Sequence, residues 1–198
     1  MHATVALDSR RAELSVDATH ASAATAVYSA LTLASALLLG RDKRTLMHAG
    51  AVMSPAGDAW LLVGDARAGK TSTCAALLTT GWKLLADDQI VLHARESGEV
   101  TVHGWPRMAH LDVGWESGIP TGVRQPVDLL VERPHATGRA ARVAGILFPR
   151  VEADRPTRAE PLVSSDAFTR LMRQSPWLMV DAAVARALVA LLARLAML

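Results

Sequence analysis

The chain has 198 residues, 51% of them hydrophobic, with a formal net charge of +2 and only 4% aromatic residues. That is enough for one domain with a sizeable core, while the near-neutral charge and scarce Phe and Tyr argue against a nucleic-acid surface. The single cysteine, Cys74, excludes an internal disulfide framework, and seven histidines without paired spacing give no structural zinc site.

In chain order, residues 12–17 alternate as a short strand. The uncharged stretch 21–39 is rich in Ala, Ser and Thr and reads as a packed helix, not a bilayer span, stopped by Gly40. No secretion signal opens the chain, so the cytoplasm is the expected compartment and no membrane partner is expected. Residues 41–44 form a charged turn. The apolar runs 49–53 and 59–63, joined by Ser54-Pro55-Ala56-Gly57-Asp58, predict a hairpin. A helix follows over 70–80, stopped by Gly81, and then a strand over 82–86 ending at Asp87-Asp88. Residues 89–93 and 100–103 predict a second hairpin. The Gly- and Pro-rich stretch 104–126 carries no assignable element. Strands are predicted over 127–132 and 143–148, with an Arg-rich exposed loop at 133–142 between them. Helices close the chain over 165–173 and 181–198. The apolar last helix, ending Ala196-Met197-Leu198, raises the expectation of a homo-oligomer.

The chemistry concentrates between the first hairpin and the helix after it. Gly64-Asp65-Ala66-Arg67-Ala68-Gly69-Lys70-Thr71 matches the pattern G-x-x-x-x-G-K-T, directly after the strand Trp60-Leu61-Leu62-Val63. Such a loop aims consecutive backbone amides at one point and adds the positive end of a helix, a nest for phosphate oxygens. Gly64, Asp65, Ala66, Arg67, Ala68, Gly69, Lys70, Thr71 and Ser72 are the expected nucleotide cradle. Lys70 would reach the β- and γ-phosphates, and the Thr71 hydroxyl would ligate Mg²⁺. Arg67 stands where glycine would relieve a positive φ; its guanidinium is either solvated or turned to phosphates. Asp87 and Asp88 end the next strand, which returns to the sheet beside this loop. One of the pair could accept the proton of an attacking hydroxyl and the other hold the metal, directly or through water. His48, just before the strand that pairs with the loop's strand, is a third candidate.

Taken together, His48-Ala49, the hairpin, Leu62-Val63-Gly64-Asp65, Gly69-Lys70-Thr71, Gly81 and Leu84-Leu85-Ala86-Asp87-Asp88 resemble the catalytic domain of HPr kinase/phosphorylase and its shorter HPr-kinase-like relatives. The match covers about 45 residues by order and spacing, and the adjacent Asp-Asp is its specific part. Gly104-Trp105-Pro106-Arg107-Met108 and Gly145-Ile146-Leu147-Phe148 extend it more loosely. The resemblance implies a single α/β P-loop domain over the whole chain, with a mixed sheet of the phosphoenolpyruvate-carboxykinase-like kind. It implies an ATP- and Mg²⁺-dependent kinase for a serine-type hydroxyl. In the family, Asp87 would be the general base, Asp88 and Thr71 would support the metal, and His48 would lie beside the phosphates with Lys70. Its small relatives suggest a peptide, small protein or small-molecule hydroxyl as acceptor. Arg67 stands where the family usually has glycine, and neither the amino-terminal domain of the bifunctional enzyme nor its second glycine-rich signature has a counterpart. The alternative is a nucleotide-binding regulatory or assembly module with little or no transfer.

Overall fold

The computed structural model describes residues 2–6, 11–15, 23–40, 42–105, 109–114, 117, 121–128, 139–152, 156–175 and 182–198. Four helices lie among them: α1 (Ala23–Gly40), α2 (Lys70–Leu78), α3 (Ser164–Arg173) and α4 (Ala182–Leu195). Seven strands form one mixed sheet: β3 (Arg44–His48), β4 (Gly50–Met53), β5 (Ala59–Leu62), β6 (Lys83–Ala86), β7 (Gln89–Ala94), β8 (Val100–Gly104) and β11 (Ala140–Leu147). Their order is β3-β7-β8-β11-β5-β4-β6, with β11 and β5 parallel and every other neighbour antiparallel. Two hairpins stand apart from it, β1 (His2–Ala6) with β2 (Arg11–Ser15), and β9 (Ala109–Asp112) with β10 (Arg124–Val127).

The order looks open, yet its two ends are joined through the chain. β3 passes into β4 through Ala49 alone, and β6 passes into β7 through Asp87 and Asp88. His48 pairs with Gln89 before the break and Ala51 with Ala86 after it, so the two ladders are halves of one bent antiparallel pair. At the far side β11 makes the matching turn, pairing β8 through Ala140–Arg142 and β5 through Val143–Leu147, with a register shift at Val143/Gly145. Such irregularities are where a sheet can bend sharply.

Strand alternation explains what fills the bend. Met47, Ala51, Ala59, Leu61, Leu85, Ile90, Leu92, Val100 and Val102 share the main core, closed by Leu171 of α3 and by Leu188, Leu191, Leu192 and Leu195 of α4. Each of those helix leucines is buried, which stabilises by roughly 1.5–3 kcal/mol per side chain against the unfolded chain. The opposite faces carry Val52, Leu62 and Leu84 beneath α2, and Leu46 and Val91 beneath α1. β8 ends at Gly104, where the backbone comes directly onto the Leu85 carbonyl of β6. A side chain has no room there.

Both predicted hairpins are present, and the helices at 23–40, 70–78, 164–173 and 182–195 match their expected places within a few residues. The charged turn at 41–44 is only partly so. It ends at Lys43, and Arg44 already belongs to β3, a strand not expected from the sequence. The unassigned stretch 104–126 holds β9 and part of β10. The predicted strand 127–132 begins where β10 ends; its residues from 129 on, most of the 133–142 loop, and residues 106–108 lie outside the described residues. Among the described residues, no helix is long and apolar enough to cross a membrane.

Candidate functional site

The loop 63–69 connects β5 to α2, with Val63 extending the parallel ladder by donating to Leu147 O (2.9 Å). The turn closes through Ala68 N to Asp65 O (3.2 Å), and the chain enters α2 from Gly69 at φ +102°. Arg67 takes φ +66°, so the strain inferred for that position is real, and its side chain is exposed. Lys70 is the first residue of α2, and Cys74 lies one turn further on the same face. Because Cys74 and Ala75 pack inward, Lys70 is carried inward too and is buried.

The buried ammonium is fully engaged. Lys70 Nζ donates to Gly64 O at 2.7 Å and to Asp65 O at 3.0 Å, and lies 3.3 Å from His48 Nε2. An ammonium has three protons and no acceptor capacity, so His48 must present a bare Nε2 to it. Its proton then sits on Nδ1, which faces Asp88 Oδ1 at 3.3 Å. Burial pushes the Lys70 pKa below its ordinary value, while Asp88, Asp87 and Asp65 pull it back up. Cys74 is buried and its thiol is pushed well above the ordinary range, chiefly by desolvation, so it is inert packing.

Asp87 sits beside this chain of contacts. Its Oδ2 accepts the His110 backbone N–H (3.1 Å), while its Oδ1 is buried without a hydrogen-bond partner among the described residues. A carboxylate oxygen in that state is prepared for an incoming donor or cation. The break in the bent strand pair therefore gathers His48, Asp87 and Asp88 opposite Lys70. The expected cradle residues Ala66, Arg67, Thr71 and Ser72 lie outside the hydrogen-bonded cluster; Thr71 is half-buried in the first turn of α2 and Ser72 faces solvent.

Two contributors were not anticipated. Gln174, buried at the end of α3, donates from Nε2 to Asp65 Oδ1 at 2.7 Å. His110 supplies the backbone N–H to Asp87 from β9. Neither belongs to a motif, and each reaches the site across many residues of chain.

The site thus belongs to a mixed α/β fold with a strand–loop–helix whose leading lysine meets a histidine and two aspartates. No protein-family model and no curated protein matches the chain. Among solved structures, the Hpr(Ser) kinase/phosphatase from Coxiella burnetii is similar to it, with 20% identity over 57% of this chain and 70% of that one, at a TM-score of 0.42. A likeness of that level decides nothing about the chemistry of the site, which rests on the side chains themselves.

Proposed function

We propose that the chain is a Mg²⁺- and ATP-dependent kinase that transfers the γ-phosphoryl group to an alcohol, a serine- or threonine-type hydroxyl on a peptide, small protein or small molecule. One observation carries the reading: Lys70, at the loop-to-helix junction, is hydrogen-bonded to His48 within reach of Asp88, with an Asp87 oxygen alongside that has no partner among the described residues. The loop 64–69 would receive the phosphates on its backbone amides as a P-loop does. Lys70 would exchange its longest contact, the 3.3 Å one to His48, for a phosphate oxygen.

The acceptor hydroxyl gives its proton to Asp87 Oδ1 as its oxygen bonds to the γ-phosphorus. The bond from that phosphorus to the β–γ bridging oxygen breaks, and ADP leaves with the electron pair. The amide of His110 keeps the second Asp87 oxygen occupied, which aims the first. The Thr71 hydroxyl and the Asp88 carboxylate are hard oxygen donors that suit Mg²⁺, and that Asp87 oxygen fits a site completed by a cation or a hydroxyl. Among the described residues no group of three or more His, Cys, Asp and Glu forms a metal cage. A Mg²⁺ held by one or two side chains together with the substrate's phosphates would need no such cage. When bound, the metal supplies charge neutralisation on the phosphates.

The test is incubation with γ-labelled ATP and Mg²⁺, with serine-containing peptides or a cell extract, beside Asp87→Asn. Label should pass to a hydroxyl acceptor, and the variant should lose about 10²–10⁴-fold in rate while still binding nucleotide. Nucleotide binding without transfer to anything would support the regulatory or assembly module instead.

A further inference from the structure

Asp65 is held from two sides. Its backbone carbonyl accepts the Lys70 ammonium, and its carboxylate accepts the Gln174 amide at 2.7 Å, across 109 positions of sequence. Gln174 is itself fixed. It caps α3, its backbone N–H donating to Leu171 O (3.1 Å), and the neighbouring Ser175 hydroxyl donates to the same carbonyl at 3.0 Å. Leu171 is fully buried in the main core, and Gln174 is only 9% exposed. A carboxylate has acceptors only, so the amide must present its NH₂ to Asp65; a buried donor and an ionised acceptor are matched.

The pairing has a chemical purpose in a loop that takes phosphates. An aspartate at the second loop position brings a negative charge to a place that must bind anions, within reach of the lysine that binds them. Tied to the end of α3, the carboxylate cannot swing toward Lys70 and compete for its ammonium. We infer that Gln174 is a positioning residue for the phosphate loop: it holds Asp65, and through the Asp65 carbonyl it sets Lys70. The ligand half of this inference rests on the proposed kinase function; the loop-holding half does not.

The discriminating variant is Gln174→Glu, which keeps the shape and reverses the polarity. At neutral pH it sets two carboxylates against each other. Amide hydrogen exchange in the ligand-free protein, corrected for intrinsic rates, reads the loop directly. Protection of the Ala68 amide, which donates to Asp65 O across the loop, should fall about tenfold at pH 7.5 and recover at about pH 5, where the introduced carboxyl takes up a proton and donates again. Combining it with Asp65→Asn exchanges amide and carboxylate between the two positions, and protection should return at pH 7.5. ATP affinity, by calorimetry, should fall about tenfold in Gln174→Ala and Gln174→Glu and return in the exchanged pair.

Unchanged loop protection in Gln174→Glu, or a loss that neither acid nor Asp65→Asn relieves, would overturn the inference. Absence of nucleotide binding by the unmodified chain would sink the kinase reading alone, because the exchange measurement still decides what Gln174 does.

Discussion

Replacing Gly104 by alanine tests whether the sheet is bent onto itself in the way that assembles the site. A Cβ at this position would overlap the Leu85 carbonyl oxygen outright and lie 3.1 Å from its carbonyl carbon and 3.8 Å from its Cα. All three are backbone atoms, so no side-chain rotation relieves the clash. β8 must move away from β6, and Leu85 is part of the main core. Overpacking of this kind costs about 1–3 kcal/mol, and with an immovable partner the upper end applies. At about 2–4 °C per kcal/mol for a chain of this size, the melting temperature should fall by about 6–12 °C. Gly81→Ala is the control: its φ is +86° and nothing lies within 4 Å of the added carbon, so only the left-handed strain of about 1–2 kcal/mol is incurred. Thermal unfolding followed by circular dichroism, with a urea titration of the same variants, reads both. A Gly104→Ala protein that melts no lower than Gly81→Ala would refute the close approach, and with it the closure of the sheet at this corner.

Lys70→Met should weaken ATP binding by about tenfold or more, since it removes the charged donor nearest the proposed phosphates. It should also change the pH dependence of stability. The folded-state pKa of Lys70 lies below 10.5, so between that lowered value and 10.5 the native chain holds fewer protons than the unfolded one. The unmodified protein should therefore gain stability relative to Lys70→Met as pH rises through this alkaline window, seen as diverging urea midpoints; parallel midpoints would contradict the buried-ammonium assignment. Arg67→Gly should relieve the strain at φ +66° and, after the extra chain entropy of glycine, raise stability by about 0.5 kcal/mol. Its ATP affinity should stay within about twofold, as expected for a solvated guanidinium; a larger fall would assign Arg67 to the phosphates.

The local parts of this site were readable because each rests on short-range chemistry. Gly69, Lys70 and the apolar strand before them define a turn and a helix start within a few residues, and the bare turn Ser54 to Asp58 defines its hairpin. β3 was missed for a physical reason. Leu46 and Met47 are both buried because α1 covers one face of the strand and the core the other, so the alternation that marks a half-exposed strand is absent. β9 and β10 sit in a stretch whose Gly and Pro content hides them, and Pro126 lies within β10 itself. The placement of His48 against Lys70 needed the bent pair, which no local pattern encodes. Gln174 carries no signal at all: a glutamine after a helix is ordinary until the loop it grips is known.

The bend also dictates where the chain can change length. Ala49 on one strand and Asp87-Asp88 on the other are the whole of the connection between the halves, and the registers on either side are set by that count. One residue inserted at Ala49 would turn Ala51 out of the main core toward the face beneath α2, and one at Asp87-Asp88 would turn Ile90 and Leu92 toward the face beneath α1; either shifts the two halves of the pair against each other and so disturbs the placement of His48 against Lys70. The tips at Ser54 to Asp58 and Arg95 to Glu99 are free of both constraints. Extra sequence, a fused reporter or a relocated chain end should be accepted there and refused at the bend, so lineages of this protein should differ in length at the tips and keep the corner's spacing fixed.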